Sequence, residues 1–112
     1  MRFEPSPESL VALFDRVVPA EPDVKRRKMF GWPAAFVGGN MVAGLHRDAL
    51  FLRLPPGELE QVTALGGRPF EPMAGRAMRG YVVVPETMLQ DEQILRGWAA
   101  RAIGFGRTLP AK

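Results

Sequence analysis

Two periodicities divide the chain. Leu10, Leu13, Phe14, Val17 and Val18 recur at the spacing of one helix face. Ser6-Pro7-Glu8 ahead of them supplies a capping hydroxyl, a proline suited to the first helical position and a carboxylate for the positive end of the dipole. Pro19 stops this helix. From Met29 the pattern turns to strands. Ala34-Ala35-Phe36-Val37 and Met41-Val42-Ala43-Gly44-Leu45 flank Gly38-Gly39-Asn40, whose glycines allow the positive φ angles of a tight hairpin. Leu50-Phe51-Leu52-Arg53-Leu54 follows a second turn at His46-Arg47-Asp48. Pro55-Pro56 opens a short helix with Leu59, Val62 and Leu65 on one face, and Gly66-Gly67 closes it. The stretch from Pro69 to Met73 reads as a short edge strand, because its two prolines forbid a central one. Tyr81-Val82-Val83-Val84 is a β-branched strand ended by Pro85. After one helical turn over 85–90, Asp91 caps a last helix with an apolar stripe of Ile94, Leu95, Trp98, Ala99, Ala102 and Ile103. Gly104 and Gly106 are expected to end it, and residues 105–112 to form a loose tail.

This order implies an α+β domain: an antiparallel β-meander sheet with the N- and C-terminal helices packed on one face. At 112 residues the chain is expected to be one domain, 1–112, with its core at about 8–104. Phe14 and Trp98 are its expected aromatic anchors. Apolar runs fall well short of the roughly 20 residues needed to cross a bilayer, so no membrane role is expected. The first residues carry no signal-peptide hydrophobic region, which predicts a cytoplasmic protein.

Charge changes the picture more than composition does. The net charge is +3, yet residues 25–53 carry six cations against one anion. Lys25, Arg26, Arg27 and Lys28 form a candidate basic patch. They are read either as charges that keep a sheet edge soluble or as a contact for phosphate or an acidic partner.

Candidate chemistry is sparse. There is no cysteine, hence no disulfide, thiolate nucleophile or zinc–thiolate site. His46 is the single histidine, which cannot build a metal cluster, and it is read as a solvated turn residue. Carboxylates show no acid–base spacing, and the glycine pairs lack the lysine and Ser/Thr of a phosphate-binding loop. No catalytic residue, metal or cofactor is therefore assigned. The recognition surface is expected from Lys28, Met29, Phe30 and Trp32 together with Met73, Arg76, Met78 and Arg79. These are residue types enriched in interface hot spots and adaptable contacts, on segments that leave strand alternation. The alternative is that Met29, Phe30 and Trp32 plug the end of the core.

Arg27-Lys28-Met29-Phe30-Gly31, the hairpin around Gly38-Gly39-Asn40-Met41, Leu50-Phe51-Leu52-Arg53, Pro69-Phe70, Tyr81 to Glu86, Leu95, Trp98-Ala99 and Ala102 stand in an order that resembles the N-terminal domain of the TfoX/Sxy family. The resemblance spans about residues 8 to 104. Trp32-Pro33 departs from the more glycine-rich or tyrosine-containing segment of many members. The full-length regulators add a C-terminal helical domain, whereas this sequence ends at Lys112 and looks like a stand-alone version. Founding members regulate competence for DNA uptake in bacteria. The resemblance implies a non-enzymatic regulatory or protein-interaction module, linked to transcriptional regulation, with another protein as partner. The alternatives are a nucleic-acid-binding accessory protein using the basic patch and a small-molecule-binding domain; self-association as a homodimer is compatible with each.

Overall fold

A computed structural model of the protein describes residues 4–112; Met1 to Phe3 of the expected 1–112 domain lie outside them. Helix α1 (Glu8–Val17) forms where the helical spacing predicts it, burying Leu10, Leu13, Phe14 and Val17. Its start differs from the expectation. Pro7 occupies the capping position with an extended ψ of 142°, and no side chain caps the helix. Ser6 sits one residue too early to reach the first-turn amides, and its buried Oγ has no hydrogen-bond partner among the described residues.

The first strand begins earlier than the apolar pattern suggests. β1 (Val24–Met29) holds the whole basic quartet, so strand structure starts at Val24 rather than Met29. As an outermost strand β1 pairs on one side only, where polar side chains are tolerated. β2 (Trp32–Val37), β3 (Asn40–His46) and β4 (Ala49–Arg53) continue the meander. Its two-residue turns fall at Phe30-Gly31, Gly38-Gly39 and Arg47-Asp48. α2 (Pro56–Ala64) then leads to the two-residue edge strand β5 (Arg68–Pro69). β6 (Tyr81–Val83) inserts between β4 and β5, giving the order β1-β2-β3-β4-β6-β5, antiparallel throughout.

α3 (Glu86–Leu89) is the expected single turn, and Asp91 caps α4 (Glu92–Thr108) by accepting from the Ile94 amide at 3.2 Å. The stripe of α4 is rotated from the expected one. Leu95, Ala99, Ala102, Ile103 and Gly106 are buried, Ile94 is 51% exposed, and Trp98 is half-buried under the Arg101 guanidinium, 4.5 Å from its ring centre. Gly104 and Gly106 do not end the helix. A Cβ at Gly106 would lie 2.4 Å from Val42 Cγ1, so this glycine lets α4 press onto β3. Contact occurs where β3 carries an extra residue in its pairing with β2, beside the Ala35/Phe36 register shift. Nor is the tail loose. The Lys112 amide donates to the Gly38 carbonyl at 2.7 Å, and the buried Asn40 side chain donates to the Pro110 carbonyl at 3.0 Å.

One sheet face packs against helices: Val42, Leu45, Leu50, Leu52 and Val82 join Phe14, Val17, Leu95 and Ile103 in a single core. No helix among the described residues is long and apolar enough to cross a membrane.

Candidate functional site on the open face of the sheet

The strands β2 to β4 read as continuous apolar runs rather than alternating ones, which requires both faces to be covered. The face away from the helices carries a second apolar cluster, built from Phe36, Met41, Phe51, Tyr81 and Val83 with Phe70 laid over it. Phe51 and Phe70 stack with ring centres 4.0 Å apart, and Tyr81 stands edge-on to Phe51 at 5.8 Å. The Tyr81 hydroxyl donates to the Met41 carbonyl at 2.7 Å, and burial pushes the phenol above its usual range.

Among the described residues only a loop covers this cluster. From Phe70 the chain turns out and back through residues 71–80, held by Met78 N–H to the Phe70 carbonyl at 2.8 Å and Arg76 N–H to the Met73 carbonyl at 2.9 Å. Glu71 accepts from the Gly75 amide at 3.2 Å, which fixes the tip of the loop. Opposite it stands the β1–β2 hairpin. Between loop and hairpin lies a groove of about 590 Å³, lined by Met29, Trp32, His46, Phe70, Met73 and Met78 among others. Beyond Phe70 a smaller depression of about 200 Å³ adds Arg68 and Glu71.

The turn of the hairpin is unusual. Phe30 has φ +55° and Gly31 φ +94°, the pair of positive values that a two-residue turn between twisted strands demands. Asparagine, aspartate or glycine normally fills the first position, because a Cβ there crowds the backbone. Here a phenylalanine fills it with its side chain 78% exposed at the groove's rim.

His46 is not the solvated turn residue expected from the sequence. Its ring lies between Trp32, 4.8 Å away, and Phe70, 5.5 Å away, on the groove wall. Burial, with the neighbouring Arg47 cation, holds its pKa below the usual histidine value. The Trp32 indole N–H donates to the Glu4 carbonyl at 2.8 Å.

Of the residues expected to recognise a partner, Met29, Phe30, Trp32, Met73 and Met78 line this groove. Arg76 and Arg79 belong to the covering loop and are exposed. Lys28 is separated from them. Strand alternation sends Lys25 and Arg27 to the open face and Arg26 and Lys28 to the helix face. Accordingly Arg27 lies over Phe36 at 5.5 Å, whereas Arg26 donates to Asp15 at 2.7 Å and to the Val18 carbonyl. The basic quartet is thus not one patch.

The family model of the TfoX N-terminal domain matches residues 15–105. The chain belongs to that family. The matched span contains every strand of the sheet and all the groove-lining residues just named, so the site lies within this TfoX N-terminal domain. No curated protein matches the chain.

Sequence reasoning did not place Met41, His46, Phe51 or Phe70 in this site. The available signal was the unbroken apolar character of β2 to β4. No group of three or more histidine, aspartate or glutamate side chains among the described residues is placed to hold a metal ion.

Proposed function

We propose that this TfoX N-terminal domain is a protein-interaction module that grips apolar side chains of a partner segment in the groove between the Phe30 hairpin and the 71–80 loop. Its role in the cell is regulatory, exerted through that contact rather than through chemistry on a substrate. One observation carries the reading. Phe30 combines a backbone conformation that disfavours a side chain with an exposed aromatic ring, at the rim of an apolar groove. Both features oppose folding, and residues held in sparsely populated backbone regions cluster at sites of recognition. The methionines supply walls that re-pack around different shapes. Groove volumes of this size also suit small apolar ligands, but among the described lining residues polar groups come from His46, Arg47 and the Trp32 indole N–H, which is already bonded to the Glu4 carbonyl, too few to orient a small molecule.

The test is peptide selection by phage display against the full chain, with Phe30→Asn as the counter-selected variant. Asn suits the first position of this turn, so the variant keeps the fold while removing the ring. Expected are peptides that bind wild type, lose affinity for Phe30→Asn by about tenfold or more, and shift the methyl NMR signals of Met29, Met73 and Met78. Selected peptides that bind both proteins equally and leave those signals unmoved would overturn the reading.

A further inference from the structure

The distribution of ion pairs adds a second, independent observation. Among the described residues the ion pairs all involve carboxylates of the helical side: Asp15 with Arg26, Glu21 and Asp23 with Arg107, Glu92 with Arg16 and Arg96, and Glu58 with Arg101. The cations around the open face have no such partner among the described residues. Arg27 leans on an aromatic ring, Arg47 lines the groove, Arg68 lines the adjoining depression, and Arg76 and Arg79 stand exposed on the covering loop. Two carboxylates come near. Glu71 accepts from the Gly75 amide through one oxygen and keeps its charge beside Arg68, and Glu4 sits at the Trp32 end. Asp48, next to Arg47 in sequence, lines a depression on the opposite side with Leu10, Leu13 and Glu86, and its charge still reaches His46. The rim of an apolar groove therefore carries more cations than carboxylates, and among the described residues none of these cations is in an ion pair.

We infer that the segment taken by this groove is an acidic, amphipathic peptide, with carboxylates flanking one or two large aliphatic or aromatic side chains. This rests on the groove being the interaction site and names the chemistry of its occupant. The apolar anchor would displace water from the walls formed by Met29, Met73 and Met78, and the flanking carboxylates would meet Arg47, Arg76 and Arg79. Opposite charge at a rim chiefly sets partner choice and association rate.

Two other occupants fit less well. A second copy docking through the same patch in a symmetric dimer would set two cationic rims against each other. Nucleic acid would find phosphate contacts, but the rings of the floor offer it little. Phe51 and Phe70 stack on each other, and the Tyr81 hydroxyl is spent on the Met41 carbonyl, so the floor offers bases few faces or edges and stacking would fall to the exposed Phe30 at the rim.

The experiment uses three fluorescein-labelled synthetic peptides of equal length and identical leucine and phenylalanine anchors, whose spacers are all glutamate, all glutamine or all lysine. Binding to the full chain is read by anisotropy. A single-stranded oligonucleotide serves as competitor, and sedimentation reports self-association. The glutamate peptide is expected to bind about tenfold more tightly than the glutamine one, the lysine peptide more weakly than either, and the preference to shrink as salt is raised. Arg76→Glu/Arg79→Glu, two exposed positions outside any ion pair, should reverse the order while leaving the melting temperature in place. Equal binding of the glutamate and glutamine peptides overturns the acidic occupant and leaves the groove reading standing. Failure of all three to bind, with Phe30→Asn indistinguishable from wild type, overturns both. Displacement of the glutamate peptide by the oligonucleotide, or a dimer lost in Phe30→Asn, also overturns the acidic peptide as occupant.

Discussion

The two faces of the sheet are both apolar, and they are finished differently. On the helix face, Phe14, Leu50, Leu52 and Leu95 are at most 1% exposed, and charge is neutralised locally. There Arg107 is bonded to Asp23 and Glu21, and Glu92 to Arg96 and Arg16, which holds the Asp23 and Glu92 carboxyls below their usual range. On the open face a loop without regular structure replaces the helical layer. It leaves a groove, an exposed Met73 and Phe30, and cations that form no ion pair among the described residues. A sheet needs cover on both apolar faces to be stable alone. On the proposed reading, the half-covered face is where a partner supplies what the chain does not.

The largest effects should fall on the closed face. Phe14→Ala is expected to cost about 3–5 kcal/mol and Leu95→Ala about 2–5 kcal/mol, read as a shift of the urea midpoint at constant slope. Trp98→Ala should cost less, about 1–2 kcal/mol, because that side chain is only partly buried and packs at the margin of the core rather than inside it. Gly106→Ala belongs with the core substitutions despite adding only a methyl. With Val42 Cγ1 2.4 Å from the new Cβ, α4 must lift off β3, at about 1–3 kcal/mol. Were Trp98→Ala as damaging as Leu95→Ala, the rotation of the α4 stripe described above would be in error.

These expectations also show what local pattern encodes. The hairpin at Gly38-Gly39, the Asp91 cap and the burial of Phe14 follow from neighbouring residues, and all three were legible. The phase of α4 was not. An apolar stripe six residues wide leaves the helix free to rotate by one position, and the close approach at Gly106 settles it. The basic quartet read as one patch because sequence adjacency hides the pleat that divides it. The groove was legible only in its parts. Its methionines and Trp32 stood out by type. Their meeting depends on β6 inserting between β4 and β5, which lays Phe70 on Phe51, a non-local event that no short window contains.

On the open face stability and binding should part company. Met73→Ala is expected to change stability by less than about 0.5 kcal/mol, since the side chain is 67% exposed, while weakening groove-bound peptides. Phe30→Asn should raise stability by about 1 kcal/mol, relieving the crowding of a side chain at positive φ, and lift the melting temperature by about 4 °C. A variant that is both less stable and unable to bind would place Phe30 with the core instead.

The smallest effect concerns pH, and it tests whether the open face behaves as a partly dry surface at all. His46 is faced by the rings of Trp32 and Phe70, by Arg47 and Asp48 of its own turn, and across the smaller depression by Arg68 and Glu71. Burial and Arg47 lower its folded pKa, and the Asp48 charge opposes them. In the unfolded chain the residue titrates near 6.5. Below that value the unfolded state binds a proton that the folded state resists, so stability is full above about pH 6.5 and declines as pH falls toward the depressed folded value. Carboxylates elsewhere add their own slope at lower pH, and His46→Gln isolates the histidine contribution. The difference between wild type and His46→Gln in urea midpoint should therefore shift against wild type between pH 7.5 and about 5.5. A peptide seated in the groove should steepen the wild-type decline if its anchor dries the ring further, and flatten it if its carboxylates stabilise the imidazolium. Flattening with the glutamate peptide, and not with the glutamine one, would put an acidic side chain within reach of His46. No difference between wild type and His46→Gln at any pH would mean that His46 is as well hydrated as the turn residue its sequence neighbours suggest.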